Sequence, residues 1–252
     1  MKLKCIGCEV LARLIYLCAA QSPHVIDLEL FQYGLHQHPQ VLRNRIQTAI
    51  DSSQGHGYDA VLLAYGLCGK STNGLKAPAP KDGQPGLRLI IPRAHDCITL
   101  FLGGRERYNE QFMNTPGTYW YVQDYIERDD GSGASLAIGA NTSVEGEQAY
   151  ATYVEKYGVD NADYLMEIMG AWQSHYERAA FIDLGVGDGS KVEARARRDA
   201  ANRGWTFERL AGDMVLIRRL LFGDWNEDFL VVEPGQTISM TYDENILGCA
   251  LL

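Results

Sequence analysis

No apolar run in this 252-residue chain approaches the ~20 residues that a membrane helix needs, so no span and no membrane partner are expected. Positive charge is also scarce. Twenty-three Lys and Arg stand against 32 Asp and Glu, a formal net charge of -9, which argues against a nucleic-acid or anionic-membrane binder but leaves room for a local basic pocket. A signal-like apolar core is missing too, because Glu9 and Arg13 interrupt the N-terminal segment. A cytoplasmic chain is therefore expected, in which the six cysteines serve as thiols or ligands rather than as a disulfide frame. Those cysteines lack the close spacing of ferredoxins and zinc ribbons, and no internal repeat is visible.

What is present is an alternation of strand and helix signals. Lys2 to Gly7, Ile26 to Tyr33, Tyr58 to Tyr65 and Leu87 to Pro92 read as strands. Between them, Glu9 to Ala20 carries an apolar face of Val10, Leu11, Leu14, Ile15 and Cys18, and Pro39 opens a helix to about Ser52. Ile98 to Arg107 starts a helix after the Cys97 loop, and Thr118 to Val122 is a strand candidate rich in aromatics. Helices are expected over 147–156 and 161–175. Further on, strands are expected at Phe181 to Leu184, Thr206 to Leu210 and, as the last, Phe229 to Val232, with helices at Val192 to Arg203 and after Asp213. The fold class this predicts is α/β, a mainly parallel Rossmann-like sheet with helices on both faces, in two α/β halves. Residues 1–128 form the N-terminal half with the Cys/His site, 129–146 a Gly/Ser-rich hinge or insertion, and 147–252 the C-terminal helical and α/β half.

Three cysteines each follow an apolar run of the first half: Cys8, Cys68 in Tyr65-Gly-Leu-Cys-Gly69, and Cys97 in Pro92-Arg-Ala-His-Asp-Cys97. Loops after parallel strands gather at one edge of a sheet, where ligands bind. Three distant thiols could meet there, and a thiolate cluster is costly unless a metal, a cation or a base compensates its charge. Zinc takes Cys sulfur at about 2.3 Å, and a catalytic zinc keeps three protein ligands and an open position. A 4Fe–4S cluster held by three thiolates likewise leaves one iron open. The bland alternative is that cysteines near strand ends are small buried hydrophobes.

Glu9 and His95 are the candidate acid/base residues beside these thiols, and Arg93 the candidate anchor for a substrate anion. His36 could reach the same crevice. Cys5 and Cys8 have Cys-x-x-Cys spacing, but Cys5 falls inside the strand, away from where a redox pair sits. Cys18 reads as core. Phe181-Ile-Asp-Leu-Gly185-Val-Gly187-Asp-Gly189 mimics a nucleotide-type glycine turn, but little chain follows it, so a tight strand-to-helix turn is the default.

With these residues in view, the chain resembles the family called domain of unknown function 1638. The resemblance rests on Cys8-Glu9-Val-Leu, Gly34-Leu-His36, Tyr65-Gly-Leu-Cys68-Gly, Pro92-Arg-Ala-His95-Asp-Cys97-Ile, Phe101-Leu-Gly103, Ala-Gly-Asp213 and Gly223-Asp-Trp225. The family's setting, beside corrinoid methyl-transfer proteins in anaerobes, implies one-carbon or sulfur metabolism and a possible corrinoid protein partner. The three-cysteine layout also looks like that of thiouracil desulfidase and quinolinate synthase, by analogy alone.

The expectation is a metal-dependent enzyme acting on a small-molecule substrate, by lyase or desulfidase-type chemistry or by thiol alkyl transfer. Cys8, Cys68 and Cys97 would hold a 4Fe–4S cluster or zinc. The alternatives are a non-catalytic metal-binding or accessory protein for corrinoid methyl transfer, and a metal-free Cys/His thiol enzyme.

Overall fold

The computed structural model describes residues 1–128, 154–155, 158–159 and 176–251. The expected hinge at 129–146 lies outside them, as do nearly all of the helices expected over 147–156 and 161–175. The described chain is mixed α/β, with a mainly parallel five-stranded sheet. It divides into two compact units, residues 1–110 with 183–187 and 211–252, and residues 111–182 with 188–210.

In the first unit, β1 (Lys2–Cys8), β2 (Val25–Phe31), β3 (Ala60–Ala64) and β4 (Arg88–Pro92) pair in parallel in the order β2-β1-β3-β4. The central strands form because their apolar runs are buried throughout. Ala60 through Ala64 are all 0% exposed, the pattern of a strand covered on both sides. A short 3₁₀ turn at Glu9–Leu11 leads into α1 (Ala12–Gln21), which buries Ala12, Leu14, Ile15 and Cys18. Pro39 starts α2 (Pro39–Ser53), which buries Leu42, Ile46, Ala49 and Ile50, one helical stripe. That stripe packs with Ile6, Val61, Leu63, Leu89 and Ile91 in one core cluster. Truncating Leu63 there to Ala costs about 2–5 kcal/mol.

A helix does start after the Cys97 loop, and the segment through Arg107 divides between two helices. Gly103 adopts φ +84 and ends α3 (Cys97–Leu102), and α4 (Arg105–Asn114) follows. Asp96 caps α3, its Oδ1 accepting from the N–H of Ile98 at 3.0 Å and of Thr99 at 3.2 Å. In the second unit, β5 (Thr118–Val122) is followed by α5 (Gln123–Glu127). It pairs in parallel with β6 (Arg178–Asp183), next to which lies β7 (Thr206–Ala211). Their core includes Tyr119, Tyr121, Phe181 and, from α6 (Ser190–Arg203), Val192, Ala196 and Ala200.

Back in the first unit, α7 (Val215–Phe222) starts beside Asp213, whose Oδ1 accepts from the Val215 N–H at 2.8 Å. It leads to β8 (Phe229–Val232), which completes the five-stranded sheet by pairing antiparallel to β4. The expectation that β8 is the last strand is overturned. β9 (Gln236–Met240) and β10 (Leu247–Leu251) form a further antiparallel hairpin. No described helix is long and apolar enough to cross a membrane.

Candidate active site

The loops leaving the parallel strands are tied to one another by backbone hydrogen bonds. Leu67 N–H donates to Ala94 O at 2.8 Å and Cys68 N–H to His95 O at 2.9 Å, so the loops after β3 and β4 run together. Gly66 permits the approach, because a Cβ there would stand 2.8 Å from Ala94 O and 2.9 Å from Asp96 N. The loops after β1 and β2 meet where Glu9 Oε2 accepts from the Tyr33 N–H at 3.3 Å. The loop after β2 also reaches the β3 loop, since a Cβ on Gly69 would lie 3.7 Å from His36 O. Four strand ends therefore share one rim, as the parallel order dictates.

On this rim Cys68, Gly69 and Lys70 have φ of +44, +63 and +70. The left-handed region costs an ordinary residue about 1–2 kcal/mol, so Cys68 and Lys70 are strained. The turn is held from inside and outside. Cys68 O accepts from Ser71 N–H at 3.2 Å and from the Ser71 hydroxyl at 2.7 Å. The Thr72 hydroxyl donates to Gly66 O at 3.1 Å. From α2, Arg43 Nη2 donates to Lys70 O at 2.6 Å and Nε to Ser71 O at 3.4 Å. Strain maintained in this way persists where the surrounding structure over-determines it, and it clusters at functional sites.

Electrostatics mark the same place. The protein packed around Cys68 pushes its thiol up, and the nearby Cys8 and Asp96 push it further, against a hydrogen bond from the Gly66 backbone. Burial raises the Tyr65 phenol well above its ordinary range, with Cys8, Cys68, Cys5 and Glu9 adding to the rise. The groups acting on both residues are acidic, so ionising the thiols requires positive charge from elsewhere. Tyr65 is 2% exposed, and its hydroxyl has no hydrogen-bond partner among the described residues. A buried polar group of that kind calls for an explanation.

The structure thus brings Cys8, Cys68 and Glu9 into electrostatic reach of Tyr65. Cys97 opens α3 on the neighbouring loop, where it acts on Tyr108. The Tyr108 hydroxyl donates to Asp96 Oδ2 at 3.4 Å. Burial raises the Asp96 carboxyl, opposed by the Thr99 and Ile98 N–H groups, His95 and Tyr108. His95 is exposed, its ring 5.7 Å from that of Tyr108. Arg93 faces elsewhere: its Nη1 donates to the carbonyls of Leu247 and, at 3.2 Å, Asn245 in the C-terminal hairpin. Burial holds His36 below the ordinary imidazole range. Cys5, fully buried in β1, has its thiol pushed up to about 12 by burial, and Cys18 is buried on α1. Neither is placed for chemistry.

Tyr65 opens the Tyr65-Gly-Leu-Cys68-Gly motif, where residue pattern alone assigns it no role. Its signal is a phenol at the end of an otherwise wholly apolar strand, next to a glycine.

Among the described residues, no group of three or more His, Cys, Asp and Glu side chains is already drawn together to hold an ion. The donor chemistry nevertheless fits a soft cation. Cys8 and Cys68 offer sulfur of the kind that soft cations take, and the groups acting on Tyr65 and Cys68 are acidic.

The family model described as "Protein of unknown function (DUF1638)" matches residues 30–221. That span is well over half of the chain, which therefore belongs to this family. It includes Cys68 and Cys97 and begins after Cys8. Comparison with curated proteins and with solved structures finds no match.

Proposed function

We propose that this DUF1638 member is a metal-dependent enzyme acting on a small molecule. Cys8, Cys68 and Cys97 would hold a 4Fe–4S cluster or a zinc ion and leave one position open for substrate. The observation that carries the reading is Cys68, held in a strained left-handed turn within electrostatic reach of Cys8. Strand order supports the location. β1 lies between β2 and β3, so the chain turns to opposite sides after β1 and before β3, and crevices of this kind bind ligands. The finer architecture belongs to the same proposal: a Rossmann-like sheet with helices on both faces, in two α/β halves divided near 129–146.

Bound metal would supply Lewis acidity toward sulfur or oxygen, or lower the pKa of a bound thiol for alkyl transfer. Loading requires Cys97 to close on the other two thiols. Glu9, whose carboxylate accepts from the Tyr33 N–H, would be the proton carrier, with His95 as the alternative on the β4 loop. Arg93 would bind a substrate anion only by giving up its hairpin carbonyls. The family's setting suggests anaerobic one-carbon or sulfur metabolism in the cytoplasm, with a corrinoid protein as partner.

A metal-free enzyme using Cys68 as nucleophile is the less favoured reading, because burial and acidic neighbours keep that thiol protonated. An accessory metal carrier would exchange its ion readily, and an enzyme would not. The test is metal and sulfide analysis, with an absorption spectrum, on protein purified without oxygen. Iron with sulfide and a broad visible band indicates the cluster, and one equivalent of zinc in colourless protein indicates thiol alkyl transfer. Full metal content in Cys68→Ala would overturn the site.

A further inference from the structure

We propose that β2 is a dimerisation edge, which pairs antiparallel with β2 of a second copy of this chain about a two-fold axis at Leu28. The inference does not depend on the metal reading.

The two edges of the five-stranded sheet are finished differently. β8, at one edge by strand order, is covered. Its Phe229, Leu230 and Val232 are buried, and the Cys249 thiol of the C-terminal hairpin donates to Val231 O at 3.7 Å. β2, at the other edge, has no buried residue along its seven, and Val25 is 60% exposed. The Val25 N–H donates to Met1 O at 3.0 Å, so the odd-numbered residues turn their backbone groups toward β1. The alternation of a strand then turns those of Ile26, Leu28 and Leu30 outward. Among the described residues these groups meet no partner. An edge of this length without proline, lysine or bulge is a template for another strand.

The sequence of β2 selects which strand. In an antiparallel pair, residues with outward backbone groups exchange their hydrogen bonds face to face. About an axis at Leu28, Leu28 faces Leu28 and Ile26 faces Leu30, so every outward group of one copy meets its complement in the other. On that face of the sheet the pairing joins Ile26, Leu28 and Leu30 of both copies, half-buried in the single chain, into one apolar stripe.

On the opposite face charge decides. Asp27 and Glu29 oppose each other across the axis, but lysines of β1 already neutralise them. Lys4 Nζ lies 2.8 Å from Glu29 Oε2, and Lys2 Nζ 3.9 Å from Asp27 Oδ2. Beside them, β2 and α2 leave an open groove of about 420 Å³ whose walls include Glu29, Phe31, Val41 and Arg45. Arg45 makes no hydrogen bond or ion pair with the described residues. The incoming strand sets its own Asp27 and Val25 opposite Glu29 and Phe31. It thereby brings a carboxylate to Arg45 and an apolar group to Phe31 and the 48%-exposed Val41. The guanidinium and the apolar wall of each copy are met by the same strand of the other, the self-complementarity that a two-fold interface requires.

The test is sedimentation equilibrium of full-length wild type, Leu28→Lys and Arg45→Glu, with circular dichroism to report folding, and oxidative cross-linking of Leu28→Cys. Wild type is expected at twice the mass of one chain. Leu28→Lys, which sets two ammonium groups on the axis, is expected to be a folded monomer, and Arg45→Glu to dimerise about tenfold more weakly. Cα atoms of a hydrogen-bonded antiparallel pair stand about 5.5 Å apart, within disulfide reach, so Leu28→Cys is expected to cross-link between copies beyond the wild-type level. Wild type that stays monomeric up to about 0.1 mM overturns the proposal and leaves the edge to a different protein. A dimer that survives Leu28→Lys unchanged also overturns it, and so does an Arg45→Glu that dimerises as tightly as wild type. Where Leu28→Lys fails to fold, the cross-link decides, and its absence in Leu28→Cys overturns the proposal.

Discussion

Two buried tyrosines, one in each unit, show what separates a packing residue from a candidate functional one. Tyr121 on β5 and Tyr65 after β3 are both 2% exposed. The Tyr121 hydroxyl donates to Asp199 Oδ2 at 2.8 Å, in a core of Tyr119, Phe181 and small residues of α6. The Tyr65 hydroxyl has no partner among the described residues and lies in the electrostatic reach of thiols and a carboxylate. Burial by itself is the same in both cases. The difference lies in whether the polar atom is satisfied within the fold, and at Tyr65 that debt coincides with the strained turn at Cys68.

The largest effect expected concerns the thiols. Cys68→Ala and Cys8→Ala should each abolish stoichiometric metal loading while the protein stays folded, as judged by metal analysis alongside circular dichroism. The next is pH. Because burial and acidic neighbours raise the Cys68 thiol, it is protonated in the metal-free protein at neutral pH. Metal must displace its proton, so zinc affinity should fall as pH drops from 8 to 6, by about tenfold per pH unit for each proton released. Competition with a chromogenic chelator at several pH values measures this, and a flat profile would mean that no thiol is displaced.

Smaller effects test the tyrosine contrast directly. Asp199→Ala strands the buried Tyr121 hydroxyl and should cost about 1–3 kcal/mol in urea unfolding. Tyr121→Phe, which removes the donor instead, should cost about 1 kcal/mol, whereas metal-free Tyr65→Phe should cost nothing measurable. The smallest change is expected for Lys70→Gly. Relief of left-handed strain, about 1–2 kcal/mol, is largely offset by the added freedom of glycine in the unfolded chain, about 0.5–1 kcal/mol. A loss above ~1 kcal/mol would show that the Lys70 side chain itself braces the turn.

The strands that carry the site could be read from the sequence because they are buried throughout. Ala60 to Ala64 and Leu89 to Ile91 are continuous apolar runs, and each is a core strand of the sheet. The break after Leu102 is signalled locally only by the Gly103-Gly104 pair, where Gly103 turns left-handed and ends the helix. The hairpin of β9 and β10 is hard to read in the sequence. Few of its side chains are buried, Ile238 and Leu247 among them, so its alternation is weak and antiparallel pairing supplies what hydrophobic patterning does not. That same hairpin receives Arg93 from 152 and 154 residues away in sequence, a commitment that no local pattern encodes. The cysteines stood out because each follows a strand. The unmet hydroxyl of Tyr65 did not, because satisfaction of a buried polar atom is a property of the folded neighbourhood and not of the residue type.

The most direct test is X-ray absorption at the metal edge of wild-type protein reconstituted with zinc. Three sulfur ligands at about 2.3 Å, falling to two or fewer in Cys97→Ala, are expected if the strand-end thiols form the site. A shell of oxygen and nitrogen alone, or three sulfurs retained in Cys97→Ala, would contradict it.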